Sequence, residues 1–201
     1  MAYSKPTFND ILLSLSYRYG ESAVPSSGID NRKYWANRGV EFIIDRLRVN
    51  KNVSVPVSSG VCNLSVSTAD PAPDFKSFSQ LLDSDGYAYD IVDKEAYTKS
   101  SGRICCITGD HNTGYILNVK ADGTYTLYYQ FYVSPLVNSS DICSVPDAEA
   151  VAAYAYSQLR LSETDPLGDA NANMQECLTR IDKMAEDMAR NEGPLTFKTL
   201  F

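Results

Sequence analysis

Apolar side chains return every three to four residues at both ends of this chain and every two residues through its middle. Phe8, Ile11, Leu12, Leu15 and Tyr19 share one helical face. Thr7 ahead of Phe8, Asn9 and Asp10 has the form of a cap, so a short amphipathic helix is expected up to Gly20. After a loop rich in Ser, Pro and Gly (21–28), Asp30 is expected to cap a second helix to about 49. In it Trp35, Gly39, Phe42 and Ile43 line up against a polar side that holds Arg32, Arg38, Glu41, Asp45, Arg46 and Arg48. The helical period returns after Pro135. Ser144 is expected to cap a third helix with Pro146 in its first turn, where a missing N–H costs little. Its stripe of Ala148, Val151, Ala152, Ala155 and Leu159 consists mostly of small residues, so a neighbour must pack close. After a loop at 162–168, Asp169 opens a long helix to about 191, and Gly193 with Pro194 stops it. The seam of that helix, Met174, Cys177, Leu178, Ile181, Met184, Ala185 and Met188, is narrow and flanked by charge. It fits either the protein's own helices or the same helix of a second copy.

Period two governs 52–57, 61–67, 87–92, 103–108, 114–120 and 124–133, the expected strands. The last two flank Ala121, Asp122 and Gly123, a short-range hairpin signal. A Pro-containing insert at 69–75 interrupts the series and leads into an apolar segment with Phe78, Leu81 and Leu82. Along the last strand, Tyr125, Leu127, Tyr129, Phe131 and Val133 form an apolar face, expected to close a small domain over the helices. Tyr128 and Tyr132 lie on the other face, free to meet a neighbouring subunit or a ligand such as a sugar ring. The fold class that results is α+β: about four helices, two from each end, around a small antiparallel β-domain. The divisions are 1–52, 53–134 and 135–192, expected as one integrated domain, with an extended tail at 193–201.

Composition narrows the function. Hydrophobic residues at 44% and charged ones at 21% of 201 residues suit a folded soluble chain. No apolar run reaches the roughly 20 residues of a membrane helix, and no signal peptide is expected. Five cysteines without metal-ligand spacing read as free buried thiols, not as a zinc site or a disulfide framework. The net charge of −7 is unevenly spread. Residues 1–52 hold eight Lys/Arg against five Asp/Glu, whereas 162–192 hold three against eight. An acidic chain without a basic stripe does not grip nucleic acid, although it can face it. The two ends of opposite charge suit either solvated faces or contact between copies.

Candidate chemistry is sparse. Gly109 to Gly114 gathers Asp110, the single His111, Asn112 and Thr113, but turn formers between two strands are expected to be a plain loop. Asp83 and Asp85, and Asp90, Asp93 and Glu95, lack the register of a calcium loop. Neither a phosphate cradle nor a nucleophile elbow is present, so no catalytic, cofactor or metal residues are expected. The tail differs. Leu195, Phe197, Leu200 and Phe201 place four large apolar residues within seven positions, suited to folding back on the domain or to joining the edge or groove of another protein.

The order of pieces resembles the head-to-tail adaptor, or connector, proteins of tailed bacteriophages. The resemblance rests on two N-terminal helices, a β-domain containing Pro73, Asp74 and Phe75, and a strand with Leu127, Tyr128 and Tyr129. It continues through a turn of Ser134, Pro135 and Leu136, an alanine-rich helix from Pro146 to Leu159, and a long last helix. It implies a non-enzymatic virion protein of the neck, made in the bacterial cytoplasm and assembled as a ring, usually twelvefold, beneath the portal. Such a ring extends the DNA channel without sequence-specific binding and docks the tail or nozzle protein. By position, the tail with Leu195, Phe197, Leu200 and Phe201 would meet the portal. Another neck or tail-completion component, or a carbohydrate-binding module of a tail or fibre using Tyr128 and Tyr132, is the alternative.

Overall fold

A computed structural model describes residues 5–163 and 167–192. The fold is mixed α+β. Among the described residues the helices are α1 (Phe8–Arg18), α2 (Ile29–Leu47), α3 (Lys94–Lys99), α4 (Ala148–Ser162) and α5 (Leu167–Glu192). The strands are β1 (Lys51–Val57), β2 (Val61–Asn63), β3 (Phe75–Leu82), β4 (Asp90–Ile91), β5 (Ile104–Asp110), β6 (Gly114–Val119) and β7 (Gly123–Phe131). The chain forms two compact units: a helical one from the segments up to Arg48 and from Val133 onward, and a β one from Val49–Tyr132.

The helical unit is organised by α4. Ala150, Val151, Ala152, Ala153 and Ala155 are fully buried, and α4 touches α1, α2 and α5. Alanine allows this because it keeps helical propensity while letting three neighbours approach. On α2, a Cβ on Gly39 would stand 3.1 Å from Tyr154 Cδ1 and 3.3 Å from the Val151 carbonyl oxygen. Phe8, Ile11, Leu15, Val40, Ile43, Cys177 and Ile181 complete the core.

Helix starts follow backbone donors more closely than the apolar period. At α1 the Thr7 hydroxyl accepts from Asp10 N, and the Asp10 carboxylate accepts from Thr7 N at 2.7 Å, a full capping box. α2 departs from expectation: it begins at Ile29, and its cap is Gly28 at φ 68°, not Asp30. Only glycine enters that left-handed conformation cheaply, and Asp30 sits in the first turn, where its charge opposes the helix dipole favourably. α4 departs as well. Asp147, not Ser144, is its cap and accepts from Glu149 N and Ala150 N, while Cys143 and Val145, both buried, anchor the approach. α5 opens at Leu167, two residues before Asp169. Its expected stop and the tail at 193–201 lie outside the described residues.

The β unit holds a three-stranded sheet ordered β1-β7-β3 and a four-stranded sheet ordered β2-β6-β5-β4. Two corrections arise here. β4 runs parallel to β5, so the unit is not wholly antiparallel. Residues 121–123 do not close a hairpin either, since β6 and β7 belong to different sheets. At the crossing the Asp122 carboxylate accepts from Gly60 N at 2.8 Å on the β1–β2 turn. The hairpin is instead β5–β6, closed by Gly109 to Gly114. β3, from the apolar segment with Phe78 and Leu81, is an additional strand, and α3, capped by Asp93, is an additional helix.

The Leu82–Ala88 bridge closes the turn after β3 and the Ser58–Val61 bridge closes the turn between β1 and β2. The inner faces of the two sheets meet through Phe75 and Tyr115, with ring centroids 4.9 Å apart, and through Tyr89 and Tyr125 at 5.3 Å. The buried face of β7 therefore closes on the second sheet. Tyr125, Leu127, Tyr129 and Phe131 are buried there as the alternation predicts.

Candidate interaction surfaces

Tyr128 projects from the outer face of β7 and Tyr132 follows one residue past its end, four residues and so about 13 Å further along the strand direction. Tyr128 is half-buried between Asn52 of β1 and Gln80 of β3. Tyr132 is 42% exposed, but its ring is shared: His111 lies 5.0 Å away and the Lys76 ammonium 5.9 Å. The two tyrosines thus stand in different surroundings. The four tail residues Leu195, Phe197, Leu200 and Phe201 lie outside the described residues.

The polar groups singled out in the sequence hold turns. Asp110 accepts from Asn112 N at 2.8 Å, from Thr113 N at 2.9 Å and from the Thr113 hydroxyl at 3.0 Å. These donors, the Thr113 amide first, hold its carboxyl below the usual range. Asp83 accepts from Asp85 N and Tyr87 N. Among the described residues no group of three or more His, Cys, Asp or Glu side chains is placed to hold a metal, and no helix is long and apolar enough to cross a membrane. All five cysteines are free and buried. Burial pushes the Cys105 thiol up to about 12 and the Cys177 thiol to about 11, which suppresses the nucleophilic thiolate. Beside α3, an open groove of about 600 Å³ is lined by Val61, Tyr97, Asn118, Lys120 and Asp122. Lys120 lies over the Tyr97 ring at 4.2 Å and covers the one aromatic face there.

Three arrangements in the helical unit were not legible as sites. The first is an ion hub. Arg18 donates to Glu176 through both terminal nitrogens at 2.8 Å, to Glu149 at 2.9 Å and to Asn173 at 2.6 Å, tying α1 to α4 and α5. Glu176 also accepts from Arg180, whose guanidinium reaches Asp147 at 3.1 Å. Arg18 first, then Arg180, hold the Glu176 carboxyl down at about 2. The second is the segment before α4. Asn37 accepts from Leu136 N and donates to its carbonyl, Asp141 accepts from Val137 N and Asn138 N, and carbonyls of Asp141 and Ser139 receive the first amides of α1. This well-held loop leaves Val137 63% and Ile142 66% exposed. The third is an aromatic ledge on α2 and α4. Phe42 stacks on Tyr154 at 4.7 Å, Tyr34 meets Trp35 edge-on at 5.1 Å, and Arg38 stands among them. Each joins residues tens of positions apart, so no local motif announces it. No protein-family model matches the chain, and no curated protein matches it.

Proposed function

We propose that this protein is a head-to-tail adaptor of a tailed bacteriophage: a non-catalytic virion protein that forms a ring beneath the portal, extends the DNA channel and docks the tail. One observation carries the reading. Two helices from each end of the chain build the helical unit, and the β unit is carried as an insert between α2 and α4. That is the order of pieces in the adaptor resemblance. The chemistry agrees, because the conspicuous carboxylates hold turns and bind cations of the fold, and the thiols are buried. An acidic chain of net charge −7 suits a channel wall that lets DNA pass without adhering.

The portal is the first partner, met by Leu195, Phe197, Leu200 and Phe201, and a tail or nozzle protein is the second. The test is co-expression with the portal protein of the same genome, followed by electron microscopy of the purified assembly. A ring stacked on the portal is expected, and deletion of residues 195–201 removes it without unfolding the chain. A folded monomer that ignores the portal overturns the reading and leaves a tail-completion role. The carbohydrate-binding alternative draws no support from Tyr128 and Tyr132, whose surroundings differ.

A further inference from the structure

From 82 to 103 no residue is buried, although Leu81 before and Ile104, Cys105 and Cys106 after all are. The stretch leaves the sheets, forms α3 and returns through Gly102 at φ 110°, a conformation open to glycine. It nevertheless covers something. Alternation along β5 turns Cys105 inward beside its partner Val119, and Cys106 outward beside Asn118. An outward side chain meets water unless another element lies over it, yet Cys106 is only 2% exposed. The element over it is α3, which packs on β5. Asp93 and Lys94 at the start of α3, with Lys120 just past β6, place their charges within reach of the Cys106 sulfur, and the Tyr97 hydroxyl feels both thiols.

Little holds α3 down. None of its six residues is buried, and so short a helix does not persist alone. The Asp93 cap accepts from Ala96 N at 2.7 Å and Lys99 pairs with Glu95, both within the excursion itself. Toward the sheet it is tied by Val92 N, which donates to the Cys105 carbonyl at 2.9 Å, and by the Lys120 ammonium over the Tyr97 ring at 4.2 Å. Elements with so few buried contacts open locally, at a far lower free energy than global unfolding.

We propose that 93–102 is a strap that lifts from the sheet as one unit, turning about Val92 and Gly102, and bares Cys106 while the rest of the β unit stays folded. Lifting takes Tyr97 from one side of the groove of Val61, Asn118 and Lys120 and extends that groove over the sulfur. Covered, the thiol is kept protonated above all by burial; bared, it keeps the charge of Lys120 beside it, which favours the thiolate. The β unit thus carries a closed thiol site that the fold itself can open, and the strap stands whether or not the chain docks on a portal.

The experiment incubates the full-length chain with N-ethylmaleimide for hours, at urea concentrations below the unfolding transition, and follows each cysteine by peptide mass spectrometry. On the time of a mixing titration all five stay silent. Over hours Cys106 should be labelled first, well ahead of Cys105 on the opposite face, at a rate almost independent of urea because lifting the strap exposes little surface. Asp93→Ala removes the cap and should speed that labelling roughly five-fold. Asp93→Asn caps as well but also lacks the charge near the sulfur, and should leave the rate within about two-fold of the parent. The urea midpoint of the tyrosine near-UV circular dichroism should match the parent in both variants. Labelling of Cys106 in step with Cys105, with the steep urea dependence of global unfolding, overturns the strap, and so does first reaction at any other cysteine. Equal acceleration by Asp93→Ala and Asp93→Asn overturns it too, because reactivity would then follow charge and not opening.

Discussion

Arg18→Ala removes the cation that joins α1 to α4 and α5. Its side chain is 16% exposed and it faces Glu176 and Glu149, whose side chains are 37% and 44% exposed. A fully buried pair broken on one side costs roughly 3–5 kcal/mol, and an exposed pair roughly 0–1 kcal/mol. The half-screened hub lies between, so a loss of about 2 kcal/mol is expected. Trp35 is the only tryptophan and packs on the cluster of Leu15, Ala152, Ala155, Tyr156 and Leu159. Its fluorescence in urea therefore reports the helical unit directly. The pH dependence has a definite sign. Glu176 titrates near 2 in the folded chain against an ordinary 4.5, so it binds fewer protons folded than unfolded. Its contribution is fully present above about pH 4.5 and is lost as the pH falls towards 2. Glu176→Gln should flatten that acid limb, and Arg18→Ala should flatten most of it. A urea midpoint for Arg18→Ala that matches the parent, or an unchanged acid limb in Glu176→Gln, would refute the hub as a structural clamp.

Other expectations follow from close contacts and paired amides. Gly39→Val drives a branched side chain into Val151 and Tyr154 and should cost about 3 kcal/mol in the same urea assay. Gly114→Ala places a Cβ 2.7 Å from Val66 Cα and 2.8 Å from the Ser65 carbonyl oxygen at φ 81°, so the tyrosine near-UV circular dichroism of the β unit should be lost at lower urea. Asn37→Ala strips both partners from the Leu136 backbone and should cost about 1–3 kcal/mol, with faster amide exchange at Leu136. An aromatic disulfide reagent at pH 8 should titrate none of the five thiols in the native chain and all five in denaturant; fast reaction of any one natively would contradict their burial.

The local chemistry of the chain specifies its elements well where its signals agree. α1 is such a case: period, capping box and closing Gly20 agree, and the helix forms as read. The alternation from Tyr125 to Phe131 likewise predicts which side chains are buried, because a strand's two faces are fixed by its backbone. Starts are less legible where two caps compete. Ser144 and Asp147 both suit an N-terminus, and Asp147 is the cap, because Cys143 and Val145 are drawn into the core and the chain bends at 144–146 before the helix starts.

Only tertiary structure decided how those elements pair. Ala121, Asp122 and Gly123 carry a hairpin signal, yet the Asp122 carboxylate bonds Gly60 on another turn, and the chain crosses between sheets. β4 is short and pairs in parallel with β5, whose residues lie 14 positions further on, a pairing no local pattern encodes. The surfaces are less legible still. Arg18 finds Glu149 and Glu176 more than a hundred residues away, and Tyr34, Arg38 and Phe42 become a ledge only when Tyr154 arrives beside them. Periodicity records what each residue does for its own helix or strand. Which distant residue it meets depends on how buried faces are shared among helices and sheets, and that is settled only when the whole chain packs.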